Sequence, residues 1–427
     1  MDYFKYSNSF IIKLIITSIV PLLIWGPFFP DLIVSVSTLF FLFYVFKKKK
    51  YFFFNIKPLI VFFVFCIYCV ILSLFVAEDK MMSLESSLFY FRIGIFSCFI
   101  WFLIDKDKSI LTYIYYSLII CFSALVIDGY IQYFTGSNLA GFKMKNLRVS
   151  SFFGDELVMG SYLSRLFPLL FALFLIKKKK KYEIYFIGLL FILVDILIFM
   201  SGERAAFFFL NLSTIFIIIL IKEYQIFRLI TFIIAILAIL ILSFNSSDLN
   251  ERMFKSPAKK MGLIEDPVQD NALIKNPKPK KIVIFTKTHD SLIRTAYNMF
   301  EDQPLLGHGP KMFRIVCADE KYATGANPCM SHPHNFYIQL LAETGILGFL
   351  FLFSGLIYVV YTALRQFKSV IFKQKRPLTD YQVCLLSALL ITVWPLSPNG
   401  NFFNNWLMIV YSLPLGFYLQ SIYSKKI

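Results

Sequence analysis

The chain has 427 residues, 58% of which are hydrophobic, and its mean hydropathy is +0.68. A soluble fold cannot bury that much apolar surface, so the composition excludes a water-soluble globular protein. The formal net charge is +17. Because the basic residues are scattered among apolar runs, we expect no nucleic-acid partner, which would require a concentrated basic surface.

Long apolar runs dominate the chain. A run of about 20 apolar residues crosses a bilayer, and the hydropathy pattern predicts an all-α polytopic membrane protein with about twelve such helices. They lie near 9–26, 29–46, 58–77, 87–104, 109–127, 157–176, 183–200, 205–221, 228–244, 336–361, 379–396 and 406–422. The pattern divides the chain into transmembrane helices 1–9 in residues 1–244, a large loop over 245–335, and helices 10–12 in residues 336–427.

The short loops between these runs carry clusters of lysine and arginine, which mark cytoplasmic loops. With twelve spans the clusters all fall on one side, at 47–50, 106–108, 177–181, 222–228, 365–376 and 425–426. Both termini are then cytoplasmic. The two long loops, 128–156 and 245–335, lie on the opposite face, which is periplasmic in a bacterial inner membrane.

The large loop has two parts of different character. Over 250–282 it is polar and rich in lysine and proline, and we expect this part to be mobile. Beyond it, the pattern predicts a short helix near 289–301 within a small ordered unit packed on the membrane face. Cys317 and Cys329 fall in this unit. They are either a disulfide in an oxidising compartment or two separate buried thiols.

The chain has four histidines, and all of them lie in the large loop: His289, His308, His332 and His334. A histidine with an ordinary pKa near 6.5 accepts a proton from a hydroxyl at neutral pH. His332 and His334 offer two ligands to a metal ion, but no third ligand is evident in the sequence. We therefore expect no metal and no other cofactor.

Three arginines belong to the same outer face: Arg148, Arg204 and Arg294. Each alone is explained by a solvated or snorkelling side chain. Together with His334 they predict an anion site, because a planar guanidinium donates paired hydrogen bonds to phosphate and stays charged. Gly202 would allow a ligand to approach Arg204 closely. The pattern favours a reaction between a phosphate-bearing leaving group and a hydroxyl nucleophile.

Carboxylates at or within apolar runs are rare and need a partner. Asp128 and Asp195 are each predicted to be a buried partner for an arginine. Glu343 lies nine residues past His334 in the tenth run, and we interpret it first as a structural or pairing residue.

The His334-Asn335 pair, followed by Gly345 and Gly348, resembles a motif of the O-antigen ligase and O-antigen polymerase superfamily of bacterial inner-membrane glycosyltransferases. These proteins carry it where their large periplasmic loop re-enters the membrane. Arg204 in SGERAAF is similar to the superfamily's Ser-x-x-Arg-like motif. The resemblance covers most of the chain.

Two further segments resemble the same superfamily. Arg294 precedes a Pro-Leu-Leu-Gly-His-Gly turn, as an arginine does in the superfamily's loop. Arg148 opens RVSSFFGDELVMGSYL, which is similar to the arginine segment before a central span. Here Asp155 and Glu156 replace the usual Asn-rich portion.

The resemblance implies an O-antigen ligase: an inverting, metal-independent transfer of a glycan from undecaprenyl pyrophosphate to a hydroxyl of lipid A–core at the periplasmic face, among membrane lipids. His334 would be the general base, and the arginines Arg204 and Arg294 would hold the pyrophosphate as catalytic residues. Further substrate contacts would come from Arg148, Asn335 and His332.

Other functions stay open at this stage. An O-antigen polymerase, or an oligosaccharyltransferase acting on protein hydroxyls, would use similar residues on a different acceptor. A transporter of lipid-linked sugars is less favoured. Transporters place their sites near the membrane midplane, often between repeated halves, whereas this sequence has its polar residues outside the spans and shows no repeat.

Overall fold

The computed structural model describes residues 6–260, 285–325 and 327–424. These residues form helices and connecting turns, with two isolated β-bridges and no longer strand among them. The helices are α1 (Tyr6–Trp25), α2 (Phe28–Lys48), α3 (Lys57–Phe75), α4 (Lys80–Ser87), α5 (Arg92–Lys106), α6 (Ser109–Thr135), α7 (Met159–Ile176), α8 (Lys181–Met200), α9 (Arg204–Leu220), α10 (Gln225–Asn245), α11 (Ser247–Asn250), α12 (Ser256–Lys260), α13 (Lys287–Asp302), α14 (Phe313–Val316), α15 (Phe336–Ile371), α16 (Asp380–Thr392) and α17 (Asn405–Tyr423). The all-helical fold predicted from the sequence is confirmed.

Each predicted apolar run overlaps a helix of the structure. Eight helices are long and apolar enough to cross a membrane, when α4 and α5 are taken together: α2, α3, α4–α5, α6, α7, α8, α10 and α15. Shorter apolar helices occur in α1, α9 and α16. The count of twelve spans therefore stays a prediction.

Helix α7 lies at the centre of the bundle. It packs against α6, α8, α9, α16 and α17, and 89% of its apolar stretch is buried, against 28% in α10 and 17% in α15. Helices that leave apolar side chains exposed in this way face lipid in a membrane. Polar groups on α7 are consequently enclosed by protein.

Helix α15 is broken at Gly345, where φ is +62° and ψ is −166°. The turn 304–309 of the large loop docks into this break. Two of its amides donate to the last carbonyls before the break, at 3.0 and 2.7 Å, and the amide of Ile346 donates to the carbonyl of Pro304 at 2.9 Å. A Cβ on Gly345 would overlap the carbonyl of Leu305. The glycine of the sequence motif thus joins loop and helix.

The large loop contains the expected ordered unit. Thr286 caps α13 by accepting the amide of His289 at 3.3 Å, and the helix predicted near 289–301 is confirmed as α13. Its apolar face contributes Leu292, Ala296 and Met299 to a small separate core, which also contains Phe313, Cys317, Tyr322 and Ala342. Cys317 and Cys329 are joined as a disulfide, with their Cα atoms 5.0 Å apart. Most of the stretch expected to be mobile, 261–282, lies outside the described residues.

Of the two aspartates predicted to pair with arginine, Asp195 does so. Arg228 donates to its two carboxylate oxygens at 2.8 and 3.1 Å, and both side chains are buried. Arg228 is therefore a structural charge inside the bundle, not part of a basic surface loop. Asp128 instead accepts hydrogen bonds from Asn138 and Ser151, so its prediction as an arginine partner was wrong.

Candidate functional site

One end of the bundle contains an open cavity of about 1500 Å³. It is bounded by the turn between α1 and α2, the N-terminal ends of α7 and α9, the segment before α15 and the loop before α17. Four residues of the predicted site line it together: Arg148, Arg204, His332 and His334. The fold thus brings distant sequence motifs to one space.

Three guanidinium groups meet on one side of this cavity. Arg148, Arg204 and Arg252 form what we call the arginine cluster. Nε of Arg204 donates to the carbonyl of Arg252 at 3.2 Å, and Nε of Arg148 donates to the carbonyl of Ser201 at 3.0 Å. Burial, together with the neighbouring charges of Arg148 and Arg204, lowers the pKa of Arg252 to about 10. The cluster therefore holds mutually repelling positive charges, as an anion site does.

Gly202 has a different role from the one expected. Its φ is +66°, and a Cβ there would overlap the side chain of Arg252 and lie 3.2 Å from Cγ of Arg148. The missing side chain makes room for two arginines of the cluster, not directly for a ligand beside Arg204.

A buried carboxylate lies next to the arginine cluster. Glu203 accepts the amides of Gly160 and Ser161, at 2.7 and 3.0 Å, at the N-terminus of α7. It lies 3.9 Å from Arg148. Burial raises the pKa of Glu203, against the opposing effect of Arg148 and these hydrogen bonds. A single carboxylate beside three guanidiniums leaves the cluster with excess positive charge.

Three imidazoles lie together in the lining of the cavity. The ring of His334 is 4.2 Å from that of His332 and 5.4 Å from that of His289, centroid to centroid. The carbonyl of His334 accepts the amide of Asn399 at 2.8 Å. Burial lowers the pKa of His334, and it lowers that of His332 to about 3. Both imidazoles are therefore neutral at pH 7, which is the form in which a histidine can act as a base.

Within the described ranges, no group of three His, Cys, Asp or Glu side chains is arranged to hold a metal ion. His289 was named in the sequence only as one of the loop histidines. Its place beside His334 depends on how α13 docks, which no local pattern encodes.

Two predicted site residues lie elsewhere. Arg294 does not line the cavity; its Nε donates to Asp290, one turn earlier on α13, at 2.7 Å. His289 and Arg294 are five residues apart, about 140° around a helix, so they face different directions. Asn335 caps α15, accepting amides of Tyr337 and Ile338 at 3.0 and 3.2 Å. Its side chain is thus committed to the fold.

Sequence reasoning missed four basic residues that line the cavity: Arg165, Arg252, Lys311 and Arg314. Arg252 lies in the π-helical turn Glu251–Lys255, where nothing in the sequence distinguishes it from other charges of the loop. Arg165 lies inside an apolar run and on the central helix α7. A charge within a membrane segment is itself a functional signal, so Arg165 was open to discovery from the sequence.

Part of the remaining lining is apolar, alongside polar and charged side chains such as Lys311 and Asn404. The apolar part includes Leu23, Trp25, Phe142, Phe152, Phe153 and Leu407. A cavity lined by guanidiniums, imidazoles and apolar side chains fits a ligand with an anionic head and a hydrocarbon portion.

Comparison with known proteins agrees with this chemistry. The sequence model of a family described as O-antigen ligase matches residues 187–353. The matched segment includes Arg204, Arg252 and His334, and ends in α15. A search of curated proteins gives no match.

Proposed function

Since the model of a family described as O-antigen ligase matches residues 187–353, which supports the O-antigen ligase-like superfamily, we propose that the protein transfers a glycan from undecaprenyl pyrophosphate to a hydroxyl of lipid A–core. The observation that supports this most strongly is the shared cavity, which is lined by His334, by the arginine cluster and by apolar side chains. The coarser function, a membrane glycosyltransferase of the ligase and polymerase type, follows from the family alone.

In the proposed reaction, His334 removes the proton from the acceptor hydroxyl. The hydroxyl oxygen attacks the anomeric carbon of the donor, the bond from that carbon to the phosphate oxygen breaks, and the lipid diphosphate leaves. A single displacement of this kind inverts the anomeric centre. General-base assistance is typically worth about 10²–10⁴-fold in rate.

The arginine cluster would stabilise the departing diphosphate. Charge grows on its bridging oxygen as the glycosidic bond breaks, so fixed guanidiniums bind the transition state more tightly than the substrate. In this proposal Arg148, Arg204 and Arg252 share the role. The sequence assigned part of it to Arg294, which stays a prediction and is tested below. The chemistry requires no metal ion or cofactor.

We place the cavity at the periplasmic face and both termini in the cytoplasm. The cavity lies at the N-terminal ends of α7, α9 and α15. At the opposite end of α7, the lysine-rich segment 177–181 follows the helix. At the opposite end of α15, the basic stretch 365–376 contains the last residues of the helix. Because basic loops mark the cytoplasmic side, the cavity opens on the other side.

The test uses purified protein, a labelled lipid-linked glycan and lipid A–core. We expect transfer by the wild type and a loss of about 10²–10⁴-fold in His334→Ala. His308→Gln is the matched control, because His308 does not line the cavity and its side chain contacts the carbonyl of Met299 and the ring of Tyr322 instead. Unchanged transfer by His334→Ala would refute the role of His334 as the general base. Movement of the labelled donor without transfer would indicate that the protein is a transporter of lipid-linked sugars.

Acceptor choice separates ligase from polymerase. Deletion of a ligase removes all long chains from the lipopolysaccharide of the host strain, whereas deletion of a polymerase collapses the ladder to one repeat unit. If the protein instead transfers glycans to protein hydroxyls, its deletion would leave the lipopolysaccharide unchanged. We expect the first pattern.

A further inference from the structure

Two arginines are buried in the helix bundle, and their surroundings differ. Arg228 has no exposed surface and pairs with Asp195 through two hydrogen bonds. Arg165 is 4% exposed, yet within the described part of the chain no carboxylate lies close enough to form an ion pair with it. An ion removed from water without a counter-charge is costly to the fold. Its retention on the central helix needs another cause.

The contacts of Arg165 fix its direction. Its Nε donates to the hydroxyl of Tyr411 at 2.9 Å, and Nη1 donates to the carbonyl of Ser161 at 3.4 Å. The guanidinium also lies 5.0 Å from the centre of the Phe209 ring. These neighbours are neutral, and they hold the group in place at the cavity wall, which Arg165 lines.

Arg165 is connected to the arginine cluster through α7. The amide of Ser161 donates to Glu203 at 3.0 Å, and Glu203 lies 3.9 Å from Arg148. Arg165 follows Ser161 by one helical turn, about 6 Å further along the axis and further into the bundle. Arg165 and the arginine cluster line the same cavity.

We propose that Arg165 binds the second phosphate of a lipid diphosphate, whose first phosphate is held by the arginine cluster. This inference rests on the proposed function and adds a residue to it. The ligand supplies the counter-charge that Arg165 lacks. The cavity then distinguishes a diphosphate from a monophosphate, because a monophosphate has no second phosphate for Arg165 to bind.

The test measures the melting temperature (Tm) of detergent-purified protein with farnesyl diphosphate or farnesyl monophosphate. In the wild type the diphosphate should raise Tm more than the monophosphate does. In Arg165→Met this difference should disappear, and the KM for the lipid-linked donor should rise by about 10- to 100-fold. Equal discrimination by Arg165→Met and wild type would overturn the proposal.

Stability without ligand separates binding from a purely structural role. Because Arg165→Met removes an uncompensated buried charge, its unliganded Tm should equal or exceed that of the wild type. The matched control is Arg228→Met, which strands Asp195 and should lower Tm. A fall of Tm in Arg165→Met as large as in the control would mean that Arg165 serves the fold. If the wild type distinguishes the two lipids but transfers no glycan, the proposed function fails and this inference stands.

Discussion

Replacing Arg252 should impair transfer far more than replacing Arg294. Arg252 lines the cavity and forms part of the arginine cluster, whereas Arg294 pairs with Asp290 on another face of α13. A hydrogen bond to a charged group contributes about 1.5–3 kcal/mol. Loss of one such bond to the departing diphosphate lowers kcat/KM by about 10- to 150-fold. We expect a fall of this size in Arg252→Ala and a near-normal value in Arg294→Ala.

The assay is steady-state transfer from a labelled lipid-linked donor, with both substrates varied. Arg252→Lys keeps the positive charge but not the planar fork, so it should recover only part of the activity. Circular dichroism and the Tm of each variant show whether the protein is folded. A severe loss in Arg294→Ala together with normal transfer in Arg252→Ala would refute the assignment made from the structure. The sequence-based assignment would then be preferred.

Three other perturbations test the same structure. Because burial lowers the pKa of His334 and its neutral form is the base, kcat/KM should fall only as pH drops through a value below about 6.5; a limb above that value contradicts the argument. Gly345→Ala should lower Tm and transfer because its Cβ would overlap the loop, whereas Gly355→Ala, where the nearest atom is 3.8 Å away, should do neither. Asp195→Ala leaves Arg228 buried without its partner, so unfolding in mild detergent should become easier by about 3–5 kcal/mol; an unchanged Tm would contradict this.

Local patterns were sufficient for the helices and for half of the site. Apolar runs predict the helices because backbone groups in lipid must be satisfied within each segment. Thr286 marks the start of α13 through an N-cap that depends only on nearby residues. Arg204 opens α9, whereas Arg148, His332 and His334 lie in the segments before α7 and α15. The predicted topology placed all four on the same face, and all four line the cavity.

The rest depends on directions that the sequence does not encode. Arg294 lies on a correctly predicted helix, but the side chain points about 140° away from the neighbouring cavity residue His289. Asn335 belongs to the recognisable motif, yet its amide is used to start α15. The motif is therefore partly a folding signal: its asparagine caps the helix, and Gly345 breaks it to admit the turn 304–309.

The two buried arginines also differ in a way that only the tertiary structure reveals. In the sequence, Arg165 and Arg228 are both basic residues in or beside apolar runs. The hydropathy pattern does not distinguish their environments. What separates them is a carboxylate on another helix, since Asp195 is 33 residues away from Arg228 in the chain. Pairing turns Arg228 into part of the scaffold. The absence of such a carboxylate near Arg165, among the residues that the structure describes, leaves its charge for whatever anion enters the cavity.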